Sequence, residues 1–176
     1  MAKTVIRITD LSEESIDKAI KDIEKYKKSF KDKCDLFCLK LAERIAEEMR
    51  TGFSGAVVDD LTDLSGGARY ANVIVPEPEQ RENIFIVKAE GEDAVWVEFG
   101  SGVHHNGAIG SSPNPYGMEL GFTIGGFGAN GAKDKWVFVE NGEKKWSYGT
   151  PASMPMYKAV QTAIQDVDKL AREVFG

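Results

Sequence analysis

The chain has 176 residues, 42% of them apolar, and a net charge of −6. That is enough for one domain with a core and too little for two comfortable ones. No run approaches the ~20 apolar residues of a membrane span, and the opening MAKTVIRITD lacks the basic-then-apolar order of an export signal, so a cytoplasmic site of synthesis and no membrane partner are expected. The acidity is local: residues 1–51 carry 12 basic and 11 acidic side chains, residues 53–100 carry 3 and 10, and residues 101–176 carry 7 of each. No basic patch is present to displace counterions from a phosphate backbone, which argues against nucleic-acid recognition. An acidic surface suits a passage through which DNA slides without adhering.

Thr4–Ile8 reads as a short extended arm or edge strand. Asp10 or Ser12 then caps a helix, with Glu13, Glu14 and Asp17 at its positive end. No proline or glycine follows until Gly52. Ile16, Ile20, Ile23, Phe30, Cys34, Phe37, Leu41, Ile45 and Met49 recur at three- and four-residue steps, with a gap at Lys27, which predicts an amphipathic helix. About 38 residues at 1.5 Å each span roughly 57 Å, whereas a domain of this size is about 40 Å across. Either the helix breaks near Lys25–Ser29, or its stripe extends to a neighbouring subunit. Cys34 and Cys38 lie four apart on one face. With no second Cys/His pair at metal spacing, they read as small apolar fillers of the buried stripe.

Residues 53–68 read as a loop. Strands are expected at 70–75, 84–89 and 94–99, the last two forming a hairpin about the turn at 90–93. Residues 100–134 are glycine-rich and without periodicity. Strands at 136–140 and 145–148 flank the turn signal Asn141-Gly142. Pro151 and Pro155 introduce a last helix carrying Val160, Ile164, Val167, Leu170 and Val174. The expectation is a single-domain α+β protein. One twisted antiparallel sheet is covered by the helix through Leu36, Leu41 and Ile45 and by the face of Val160, Ile164 and Val167 on the C-terminal helix.

No set of residues supports catalysis. Gly126–Gly131 matches GxGxxG by letter, but it leads into a strand rather than the helix that a dinucleotide site requires. His104 and His105 are adjacent on a loop with no fixed co-ligand. Ser101 lies in GSG, not in a nucleophile elbow. No cofactor or metal is expected.

Two motifs point elsewhere. Trp96-Val97-Glu98-Phe99-Gly100-Ser101-Gly102 and Gly149-Thr150-Pro151-Ala152-Ser153-Met154-Pro155-Met156-Tyr157-Lys158-Ala159 occur in the order N-terminal helix, central strands, VEFGSG, aromatic hairpin, PASMPMY, C-terminal helix. This arrangement resembles the phage Hong Kong 97 gene-10-like family over residues 33–176. The resemblance implies an α+β structural protein that forms a ring at the neck of a tailed phage, joining head to tail, without catalysis. The resemblance also implies that residues 1–32 are an N-terminal extension of the 33–176 core, and that the chain is made in the host cytoplasm and carried in the virion. Its expected partners are other copies of itself and neighbouring neck and tail proteins.

Two segments are the expected interfaces. The first is the helix stripe Ile16, Ile20, Ile23 and Phe30, which outruns what one domain covers. The second is loop 100–131, whose Ile109, Tyr116, Met118, Leu120, Phe122, Ile124 and Phe127 are poorly placed in water. The motifs add Phe99, Gly100, Pro151, Met154 and Met156 as contact candidates. The competing readings are a small cytoplasmic enzyme, with loop 100–131 as lid or phosphate cradle, and a stand-alone binding module.

Overall fold

A computed structural model describes residues 12–59, 69–101, 112–122, 136–140, 142–147 and 149–176, together with Ile6, Ile8 and Asp10. Most of the expected Thr4–Ile8 strand, His104 and His105, Ile109, Ile124, Phe127 and the whole GxGxxG stretch lie outside these residues. The elements in chain order are α1 (Glu13–Phe53), β1 (Val57–Asp59), β2 (Arg69–Tyr70), β3 (Glu79–Arg81), β4 (Ile84–Ile86), α2 (Ala94–Phe99), β5 (Trp136–Glu140), β6 (Glu143–Ser147) and α3 (Pro155–Phe175). The fold is α+β, with a long N-terminal helix, a C-terminal helix and small antiparallel ribbons.

Helix α1 runs unbroken for 41 residues, about 61 Å, so the break near Lys25–Ser29 does not occur. Its start uses both candidate capping residues. The Ser12 hydroxyl accepts from the Ser15 N–H at 3.3 Å, and the Ser12 N–H donates to the Asp10 carboxylate at 2.9 Å. Ser12 thereby supplies an acceptor for one of the orphan donors of the first turn. The Ser12 hydroxyl also donates to the Asp10 carboxylate, and this bond, with the one from the Ser12 N–H, holds the Asp10 carboxyl below its usual range.

Helix α3 lies antiparallel against the C-terminal half of α1. Pro155 meets Gly52 at one end, and Phe175 packs its ring 6.0 Å from Phe30 and 5.9 Å from Phe37 at the other. Between them, the Arg44 Nε–H donates to Asp166 at 2.9 Å. Ala46, Met49 and Phe53 of α1 form one buried cluster with Ala56, Val58, Val75, Ala94, Val97 and Ala159. The core therefore sits at the C-terminal end of α1, where α2, β1 and the start of α3 converge.

Several expected strands fall differently. Among the described residues, three separate antiparallel ribbons, β1–β2, β3–β4 and β5–β6, stand in place of the single twisted sheet. Residues 57–59, expected in a loop, pair with Arg69–Tyr70. Of the expected 70–75 strand only Tyr70 joins a ribbon, and Ile74 makes an isolated bridge to Glu90. Residues 84–86 pair with Glu79–Arg81 through a tight turn in which Glu82 takes positive φ. Pro76 and Pro78 carry no N–H for a ladder, so the earlier segment cannot extend into one long strand. The β5–β6 hairpin forms as expected, in full register from Trp136↔Ser147 to Glu140↔Glu143.

The largest correction is Ala94–Phe99, expected as a strand and found as a short helix. Apolar residues at almost every position suit either state by period. Tertiary packing decides it: Ala94, Val97 and Glu98, at helical spacing, are buried, while Val95 is exposed. The helix faces are also reassigned. Leu36, Val160 and Ile164 are exposed, and α3 buries Ala159 and Ala163 instead. Small side chains let the two helix backbones approach closely, and that close contact takes the place of the expected sheet. Cys38 is exposed and Cys34 half-buried, so Cys38 does not fill the core.

Candidate interaction surface

The two motifs, about fifty residues apart, form one buried clasp. Met154, which precedes α3, takes a left-handed conformation and supplies no side-chain cap. Glu98 does so from a distance: the Met156 and Tyr157 N–H groups donate to its carboxylate at 2.8 and 3.0 Å, and Asn114 Nδ2 donates to it at 2.7 Å. The carboxylate thus sits at the positive end of the α3 dipole and satisfies two of its orphan donors. Burial pushes the Glu98 carboxyl above its usual range, against the downward pull of those three donors.

The backbones lock beside it. The Ser153 N–H donates to Val97 O at 2.9 Å and the Ser101 N–H to Thr150 O at 2.9 Å. The Thr150 N–H returns to Ser101 Oγ at 3.0 Å, and the Thr150 hydroxyl donates to Val58 O in β1. Gly100 occupies φ 77°, ψ 169°, a region open essentially to glycine alone. A Cβ there would lie 2.9 Å from the Ala152 Cβ.

Residues 112–122 fold over this clasp. The ends of the segment meet through the Ser112 N–H and Phe122 O at 3.2 Å. Ser112 Oγ donates to Phe99 O at 2.5 Å, and the Tyr116 N–H donates to Asn114 Oδ1 at 3.0 Å. The Phe122 ring stacks on Phe99 with centroids 4.4 Å apart and meets Trp96 edge-on. A compact loop with joined ends and its own packing is the result.

The structure therefore divides the interface candidates. Gly100 and Phe122 are buried inside the protein, and Phe99, Pro151, Met154 and Met156 are half-buried around the clasp. Ile16, Ile20, Ile23, Phe30 and Tyr116 are exposed, as are Met118, Leu120, Val160 and Ile164. Glu98 was missed as a key residue because its partners lie 16, 58 and 59 residues away. No local pattern marks it, and an acid within an apolar run reads as the outward-facing position. Among the described residues no helix is long and apolar enough to cross a membrane, and no group of three or more His, Cys, Asp or Glu side chains is placed to hold a metal ion. Comparison with protein-family models, characterised proteins and solved structures gives no match.

Proposed function

We propose that this chain is a structural subunit of a tailed-phage neck, acting by contact with its own copies in a ring and with adjoining neck and tail proteins, and performing no catalysis. The reading starts from the resemblance carried by VEFGSG and PASMPMY. The observation that carries it is the N-terminal half of α1. Ile16, Ile20, Ile23, Tyr26 and Phe30 are each 40% to 50% exposed, on a helix about twice as long as the α3 helix packed against it. An apolar stripe held in water marks a contact site, and a rigid helix reaching beyond its own core suits an assembly component. The clasp adds support of a second kind: the two motifs join through buried hydrogen bonds, so they work as one structural unit.

Inactivating the gene in a strain that produces the particles tests this. Filled heads and separate tails should accumulate, and the purified chain should restore joining when added to them. Normal yields of joined particles, or a reproducible thermal stabilisation of the chain by millimolar NAD or ATP, would overturn the reading in favour of an enzyme.

A further inference from the structure

We infer that Glu13–Lys33 of α1 pairs antiparallel with the same segment of a second copy of this chain. The inference concerns the free protein and does not rest on the neck assignment.

Ile16, Ile20, Ile23, Lys27, Phe30, Cys34, Phe37 and Leu41 follow one another at alternating steps of four and three, the repeat of a two-helix seam. The subunit itself uses the C-terminal part of that seam, since α3 covers it as far as the contacts of Phe175 with Phe37 and Phe30. Beyond Phe30 the seam continues in phase with its apolar side chains exposed. Among residues 13–33 only Ala19 is buried. The exposed part therefore continues a helix–helix interface that already exists, and the occupant that matches it is another helix.

Charge selects the occupant and its direction. Residues 13–24 hold Glu13, Glu14, Asp17, Asp22 and Glu24 against Lys18 and Lys21, net −3. Residues 25–33 hold Lys25, Lys27, Lys28, Lys31 and Lys33 against Asp32, net +4. A parallel copy would set acid on acid, base on base, and Lys27 against Lys27 in the seam. An antiparallel copy sets each acidic half on the other's basic half. A register centred near Lys25 brings Ile20 beside Phe30 and Asp17 beside Lys31 of the second copy, and places Lys27 near its Glu24. Lys27 then covers the seam with its methylenes and keeps its ammonium at the edge. A polar residue at one seam position fixes register. The contact is two-fold and self-complementary.

Sedimentation velocity on the full chain tests the pairing. The wild type should form a dimer, and I20E/I23E should be monomeric while keeping a cooperative thermal transition, lowered only by the loss of the pairing. In a C34A/C38A background, mixing D17C with K31C should give the mixed disulfide dimer under oxidation, while D17C alone gives none. A wild type that stays monomeric at all concentrations, a dimer that survives I20E/I23E, a D17C homodimer, or a closed oligomer of three or more copies would each overturn the pairing. So would loss of the thermal transition in I20E/I23E, which would assign those side chains to the subunit's own core. Head–tail joining is a separate readout: a chain that joins heads to tails yet stays monomeric when free refutes the pairing alone.

Discussion

Glu98 is 3% exposed, with two backbone N–H groups of α3 and the Asn114 amide directed at it. Replacing it by glutamine keeps the shape but turns one acceptor into a donor facing donors. E98Q should therefore cost about 1–3 kcal/mol, the usual penalty for leaving buried polar groups unsatisfied. Its pH dependence follows from burial, which raises the folded-state pKa. The folded chain then holds the Glu98 proton to higher pH than the unfolded chain does. That contribution to stability is complete below the unfolded value, about 4.3, and is lost as pH rises through the raised folded value. Glutamine does not titrate, so the stability gap between wild type and E98Q should narrow as pH rises across that window, measured by denaturant unfolding. Gly100 is held as tightly. Its backbone conformation and the 2.9 Å approach to Ala152 leave no room for a Cβ, so G100A should lose about 1–3 kcal/mol while keeping the helical circular dichroism of α1.

Helices α1 and α3 come into tight contact where Gly52 faces Pro155. A Cβ on residue 52 would come within 2.7 Å of the Pro155 Cβ, and the proline ring cannot swing away as a flexible side chain would. G52A should force the helix ends apart and cost about 1–3 kcal/mol, the usual range for overpacking, read as a lower thermal midpoint. Both helices were legible in the sequence because their signals are local: the three- and four-residue spacing, the Ser12 cap, and Pro155 at the first position of α3. The β5–β6 hairpin was legible through Asn141-Gly142. Helix α2 was not, since its conformation is imposed by burial of Ala94, Val97 and Glu98 against segments distant in sequence. β1 was not either, because three residues paired to a strand beyond residues 60–68 leave no periodicity to read. The helix faces were misread at Val160 and Ile164 because larger apolar residues were taken to mark the buried side. The α1–α3 contact selects for small ones, Ala159 and Ala163.

Apart from the α1 seam, the molecule exposes a second apolar face. The Tyr116 ring meets Tyr157 edge-on at 6.4 Å, which joins the 112–122 turn to α3. Tyr157, Val160 and Ile164 lie three and four residues apart, on one helix face. Val160 is 42% and Ile164 59% exposed, and Met118 of the turn is 70% exposed. The turn and this face of α3 thus present neighbouring apolar side chains to solvent. Side chains this exposed contribute little to folding, so M118E and I164E should each leave stability within about 0.5 kcal/mol of wild type. The proposed neck role calls for surfaces toward more than one neighbour, and this one is distinct from the seam. If it faces another neck or tail protein, the M118E/I164E chain should still form the free dimer yet fail to restore joining of heads to tails. Full restoration by M118E/I164E would remove this face from the assembly. A large fall in the thermal midpoint would instead show that the turn and α3 depend on these side chains for the subunit's own packing.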